Sequence, residues 1–326
     1  MSKNIFLILF LITIITTLSF FVGSSDDFFS PKTNLFSSLT NGDVSLLFVG
    51  DIMLSRYIGE LIEQTNPNFP YQNIVKEIKG ADIIFGNLEN PISNLGTDTG
   101  KKYSFRADPN VVSGLKWAGF NVVSLANNHI LDWGSEAMFN TMEILDDSEI
   151  KYIGVGQNPM KSREPAIFNI NGVNVYLLAY SQFSPLHLSS LAISHINSDL
   201  ISEDIKNALS NGADIVVLSF HWGDEYETTH NNFQEEIAKK TIDSGAHIII
   251  GHHPHVVQEV EFYKNGLIAY SLGNFIFDQN FSEETRKGLV LEVVVDSYGI
   301  KEVERKDISF NESFQPFVEK SYNITK

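Results

Sequence analysis

The sequence predicts an α/β domain built on mixed sheets, and three observations carry that expectation. Short apolar runs that end in polar residues recur along the chain, helical patterns separate them, and two Asn-Gly pairs sit between alternating segments. The first run, 44–49, closes on Gly50-Asp51. Runs 81–85, 121–125, 214–220 and 247–250 follow the same format. They close on Gly86-Asn87-Leu88-Glu89, Ala126-Asn127-Asn128-His129, His221-Trp222-Gly223 and Gly251-His252-His253-Pro254-His255. Continuous β-branched runs of this length suit strands buried on both faces. Helical patterns cover 71–79, 109–117, 134–145, 202–209 and 232–244, so the strands alternate with helices as crossover units require. Asn171-Gly172 and Asn265-Gly266 signal antiparallel hairpins. The expected architecture is therefore mixed sheets with helices outside.

At 326 residues and 43% hydrophobic content the chain can bury a large core. Its formal net charge of −17 opposes nucleic-acid binding, which needs a basic surface to displace counterions. An anionic partner is repelled too, unless metal or arginine reverses the field locally. The absence of cysteine excludes disulfides, thiolate metal sites and cysteine nucleophiles.

After Lys3, residues 5–22 carry no charge, and Asp26-Asp27 follow shortly. Such a run is long for a cleavable signal core and close to the roughly 20 residues that span a bilayer. Residues 1–25 are thus expected to be a signal anchor or a signal peptide. The lysine predicts a cytoplasmic N-terminus and an extracytoplasmic domain, in a single-pass membrane protein or, after cleavage, a secreted one. Residues 26–42 read as a linker, 43–315 as one domain, and the weakly patterned 316–326 as a tail.

In open α/β sheets ligands gather beyond the carboxyl ends of strands. Asp51, Asn87, Glu89, Asn127, Asn128, His129, His221, His252, His253 and His255 all fall at such ends. Each alone has an ordinary structural explanation, as a turn or cap residue, a core histidine or a surface carboxylate. As three histidine clusters with two acids they point to one site. Imidazole nitrogen with carboxylate oxygen suits a divalent zinc, manganese or iron ion. His253 and His255 share a face of an extended segment and His252 points away, so His252 is left out. Arg56 and Arg106 are candidates for gripping a carboxylate or phosphate, with a surface ion pair as the alternative. Asn274 and Asp278 follow a late strand and are placed at the same mouth, whereas Phe275 is assigned to the core.

Gly50-Asp51-Ile52-Met53-Leu54, Gly86-Asn87-Leu88-Glu89, Asn127-Asn128-His129, His221-Trp222-Gly223, His253-Pro254-His255 and Ser271-Leu272-Gly273-Asn274-Phe275 together resemble the bacterial capsule-synthesis CapA family, also called the poly-γ-glutamate capsule family. The likeness is colinear over about residues 44 to 295. Members are similar to calcineurin-type metallophosphoesterases, which implies a four-layer α/β/β/α sandwich with two mixed sheets. The resemblance implies Asp51, His221, His253 and His255 as metal ligands, with Glu89 as the nearest carboxylate on the second strand. It also implies Asn128 and His129 as catalytic groups, His129 donating a proton. Two positions depart from the superfamily: Met53 stands where a histidine ligand is expected, and Asn87 where a bridging aspartate is expected. The resemblance further implies an anionic envelope polymer or its precursor as partner, within a membrane synthesis or export complex. Three roles follow as expectations: an accessory factor in assembly, export or attachment of the polymer, a metal-dependent hydrolase of a phosphoester or γ-glutamyl amide, or an envelope scaffold.

Overall fold

The computed structural model describes residues 42–183 and 192–325. The expected signal segment, and the linker as far as residue 41, lie outside the described residues. Among the described residues no helix is long and apolar enough to cross a membrane.

Two mixed sheets pack face to face. In the first, β1 (Val44–Ile52), β2 (Ile83–Leu88), β3 (Val122–Ser124) and β4 (Lys151–Ile153) run parallel. On the other side of β1 the antiparallel β14 (Lys287–Asp296), β15 (Gly299–Phe310) and β16 (Pro316–Asn323) follow, and β13 (Asn274–Ile276) pairs with the end of β1. In the second sheet, β7 (Val173–Ser181), β9 (Ile215–His221), β10 (Ile248–His252) and β12 (Gly266–Ala269) run parallel, edged by antiparallel β6 (Ala166–Ile170) and β11 (Val260–Tyr263). A separate short pair joins β5 (Val155–Gly156) to β8 (Ala192–Ile193).

Side chains from the facing sides of both sheets form one buried cluster. It includes Leu46, Phe48, Phe85 and Val122 from the first sheet, and Val175, Leu177, Val217 and Ile250 from the second. The alternate residues of the second sheet, among them Leu178, Leu218 and Ile249, pack outward against Ile201 and Ile205 of α5 (Ser198–Ser210) and Ile237 and Ile242 of α6 (Asn232–Asp243). This two-sided burial explains why those strands read as unbroken apolar runs. The first sheet carries α1 (Arg56–Gln64), α2 (Val75–Ile78), α3 (Val112–Ala118) and α4 (Gly134–Asp147) in the connections after β1, β2 and β3. Helix α5 starts at Asn197, whose side chain accepts from the amides of Asp199 and Leu200. Helix α6 opens with a reciprocal capping box between Asn231 and Gln234.

Three details differ from the sequence reading. Residues 316–326 are not simply a tail, because Pro316–Asn323 pairs with β15. As an edge strand it is largely solvated, which removes the apolar alternation that would have marked it. Helix α1 was not anticipated in the polar segment after the first strand. The second hairpin turns one residue early: Tyr263 pairs with Gly266, so Lys264 (φ 52°) and Asn265 form the turn. Gly266 is a glycine for packing, since a Cβ there would lie 2.5 Å from Ile242 Cδ1.

Two glycines let backbone pass backbone just before the polar strand ends. A Cβ on Gly50 would lie 1.9 Å from the Gly273 carbonyl oxygen, and one on Gly251 1.8 Å from that of Tyr270. Neither neighbour is a movable side-chain tip. Gly50→Ala is therefore expected to lower unfolding free energy by about 3 kcal/mol, the upper end of ordinary overpacking. Urea denaturation measures it, and a loss below about 0.5 kcal/mol contradicts this reading.

Candidate metal centre

The pairing register places the polar strand ends beside one another. Asp51 at the end of β1 is level with Asn87 of β2 and Asn274 of β13, while His221 of β9 is level with His252 of β10. Residues far apart in sequence thus meet where the carboxyl ends of both sheets converge.

Asp51 and Glu89 are both fully buried. Asn87 lies between them, its Nδ2 at 2.8 Å from Asp51 Oδ1, 3.2 Å from Glu89 Oε2 and 3.3 Å from His221 Nδ1. Its own Oδ1 accepts from Asn127 Nδ2 at 3.2 Å. Asn127 in turn shapes the next turn, its Oδ1 accepting from the amides of His129 and Ile130. Glu89 Oε1 is different: it is buried without a hydrogen-bond partner, and so is His253 Nδ1. Around that oxygen stand His255 Nε2 at 3.7 Å and the Nε2 atoms of His129 and His221 at 3.9 Å each. These gaps are too wide for hydrogen bonds. Those to His255 and His221 match ligand atoms that share an ion at about 2.0–2.2 Å from each.

Two ligand triplets are present, Glu89 with His253 and His255, and Asp51 with Glu89 and His221. Within each triplet the donor atoms lie within 4.8 Å of one another. Glu89 belongs to both. Two orphaned buried polar atoms within a nitrogen and oxygen donor set fit a divalent cation. Electrostatics agree. Burial and the adjacent Asp51 push the Glu89 carboxyl well above its usual range, a strain that a cation relieves. Burial also opposes ionisation of Asp51, but hydrogen bonding and attraction from His255 outweigh it and hold that carboxyl below its usual value. Burial, reinforced by neighbouring histidines, pushes His221 well below its ordinary range and His253 down to about 3. Both imidazoles are therefore neutral and ready to donate a lone pair near neutral pH.

The local backbone aims these groups. His253 and His255 do not lie on an extended segment as their spacing suggested, because both have left-handed φ values, 96° and 58°. The turn, rather than strand alternation, points them into the cluster. Such strain in non-glycine residues persists where the surroundings hold it: the His253 amide donates to Asp51 Oδ2 at 3.2 Å, and Tyr226 N donates to Pro254 O at 2.8 Å. His252 sits apart from both triplets, between Ser219 Oγ at 3.3 Å and the Val49 carbonyl at 3.2 Å.

His129 is joined to Asp132, a residue the sequence reading did not single out, by a 2.7 Å contact at Nδ1. Asp132 is fully buried, also accepts from Phe105 N, and pairs with Lys101 Nζ at 2.8 Å. Only its spacing three residues after His129 could have flagged it. Burial lowers the His129 pKa and Asp132 partly restores it. Asn128 Oδ1 is 2.9 Å from His221 Nε2, which sets it beside the cluster.

The three residues expected to bind substrate separate. Arg56 stands near the mouth, its guanidinium 4.8 Å from the Phe105 ring centre and its Nε 3.1 Å from Asp278 Oδ2. Arg106 lies on Trp133 instead, 3.5 Å from the ring centre, with Nη1 donating to Leu95 O. Asn274 is fully buried and its amide is used up, with Oδ1 at 3.1 Å from His255 Nδ1 and Nδ2 bonded to Thr285 O and Gln279. It orients His255 rather than reaching substrate. Met53 is buried, and its sulfur accepts from Ser55, not facing a ligand position.

Residues 45–279 match the family described as bacterial capsule synthesis protein PGA_cap. The chain is 34% identical over 271 residues to the capsule biosynthesis protein CapA of Bacillus anthracis, covering 77% of this chain and 64% of that one. It thus spans slightly less than two thirds of that relative. It is 30% identical over 300 residues to the PGA biosynthesis protein CapA of Bacillus subtilis, covering 89% and 76%. Among solved structures, the sulfate thiohydrolase SoxB of Thermus thermophilus in complex with glycerol is similar with a TM-score of 0.50 and 13% identity, over 83% of this chain and 57% of that one. That likeness is one of fold.

A depressed histidine pKa means that the unfolded chain binds a proton that the folded one refuses. Stability from this source is complete above pH 6.5 and is lost as pH falls toward the folded value, about 3 for His253. In protein stripped of metal, His253→Gln is expected to flatten the acid-side loss by up to about 1.4 kcal/mol per pH unit in that window. Denaturation curves at stepped pH provide the measurement, and an unchanged slope contradicts the assignment.

Proposed function

Because the chain belongs to the bacterial capsule synthesis protein PGA_cap family, we propose that it is a metal-dependent hydrolase or transferase in the making of an anionic envelope polymer, acting on a phosphoester or γ-glutamyl amide of the polymer or its precursor. The proposal includes an extracytoplasmic domain held to the cell membrane by the N-terminal apolar run, close to a synthesis or export complex. The observation that carries the chemistry is Glu89 Oε1, buried and partnerless among three imidazoles, next to a His129–Asp132 pair.

Asp51, Glu89, His221, His253 and His255 would hold manganese, zinc or iron. When bound, such an ion supplies Lewis acidity toward an oxygen and balances the carboxylates. The remaining steps belong to the protein's own side chains. Asp132 fixes the His129 ring through Nδ1, leaving the Nε2 lone pair directed at the cluster, where it can take up a proton and pass it to a leaving group. Asn128 has an amide beside His221 to orient a substrate oxygen, while Arg56 at the mouth is held by Asp278.

Metal analysis of the full chain is expected to find divalent ion in the wild type and little in Glu89→Ala. His129→Ala should keep its metal while hydrolysis of bis(p-nitrophenyl) phosphate falls by roughly 10²- to 10⁴-fold, the usual worth of a general acid. A wild type without metal overturns the proposal. Metal without turnover on either a phosphodiester or a γ-glutamyl amide favours the non-catalytic accessory role instead.

A further inference from the structure

The histidines of the cluster are walled by aromatic rings, several of them open to solvent. Phe183 packs on His253 with ring centres 4.2 Å apart, Phe105 on His129 at 4.1 Å and Phe277 on His255 at 4.7 Å. Tyr226 lies over His255 at 6.1 Å, and Phe281 meets Tyr226 edge-on at 4.9 Å. Phe105 and Phe277 are buried, but Phe183, Tyr226 and Phe281 are 37, 41 and 63% exposed. Tyr226 holds a left-handed φ of 68° while its amide donates to Pro254 between the two histidines, so its position is enforced. Exposed rings gathered at the rim of a polar centre call for an apolar ligand surface.

The charges around the rim constrain that ligand further. Arg56 is engaged by Asp278 and Lys101 by the buried Asp132, while Lys102 lies over Tyr103. The exposed loop that carries Tyr226 also holds Asp224, Glu225 and Glu227, and Glu225 is close enough to Glu89 to raise its pKa. A polyanion crossing this loop meets three carboxylates. A single acidic head at the cation centre, carried on an uncharged apolar body, meets only Glu225.

We infer that the site takes a substrate whose acidic group is joined to a hydrocarbon body, with the body lying against Phe183, Tyr226 and Phe281. This rests on reading the cluster as a cation centre and narrows the proposed substrate from the polymer to a precursor with an apolar body. A membrane-anchored enzyme would meet such a molecule as a lipid-linked precursor, while a sugar phosphate has the same head on a polar body.

The test is calorimetric binding of inert analogues to the metal-loaded full chain, with metal content measured for every sample. Butylphosphonate is expected to bind about ten-fold tighter than methylphosphonate, as half-burial of three methylenes requires. Glucose 1-phosphate is expected to bind no tighter than methylphosphonate. In Phe281→Ala the ten-fold preference should shrink to about two-fold and in Phe281→Leu it should largely return, both with wild-type metal content. Equal affinities for the two phosphonates, a preference for the sugar phosphate, or a preference untouched by Phe281→Ala overturns the inference while the metal centre stands. Loss of metal from the wild type removes the centre itself, and is read directly in the metal analysis.

Discussion

Two carboxylates, Asp51 and Glu89, are buried within reach of the same asparagine amide, and the rest of the site follows from the need to keep them there. Like charges in a water-poor pocket repel strongly, and burial alone penalises each. Asp51 is satisfied by the Asn87 amide, the His253 amide and His255. Glu89 is satisfied on one oxygen only. A divalent cation resolves both the missing partner and the repulsion at once. It also gives an acidic chain the local positive field that an anionic ligand needs.

The fold delivers these groups through strand register rather than through any local sequence motif. Pairing Asp51 with Asn87 and with Asn274 requires β1 to lie between β2 and β13, and Gly50 admits the close crossing that makes this possible. The second sheet repeats the device, with His221 beside His252 and Gly251 against Tyr270. Because both sheets share one core, their carboxyl ends cannot drift apart without opening it. The candidate ligands are therefore positioned by the sheets that share the core, while Tyr226 and Phe281 ride on loops beside them, a division common to sites that combine rigid chemistry with variable specificity.

The sequence made the buried strands and their polar ends legible because doubly buried strands leave unbroken apolar runs. The same logic hid β4, β15 and β16, whose exposed or half-exposed residues dilute the pattern, but β14 went unread although it is buried along nearly its whole length. For the site, residue type and position at strand ends marked Asp51, Glu89, His221, His253 and His255, which the structure brings together. Asp132 escaped notice because an aspartate three residues past a histidine is unremarkable until the turn between them is known. Arg106 and Asn274 show the opposite failure: their chemistry suited a ligand, but Trp133 and Leu95 take up the first and His255 and Thr285 the second. Side-chain chemistry is readable from sequence, whereas competition for it is a property of packing.

Met53 and Asn87, the two positions that depart from the motif pattern, both have structural roles in this fold. Residues two apart on a strand face the same way. Asn87 and Glu89 both turn into the cluster, so the carboxylate at 89 projects into the same space as the amide at 87. The amide left at 87 is not idle, since it bridges Asp51, Glu89 and His221 and holds the two acids in register. Met53 is withdrawn into the core with its sulfur turned to Ser55, and the five remaining ligands still form two triplets that share Glu89. A scaffold that had abandoned metal would have no reason to keep a buried, half-satisfied glutamate beside a buried aspartate, for which neutral replacement is the cheaper arrangement. A cation shared by the two acids would supply the partner that Glu89 lacks.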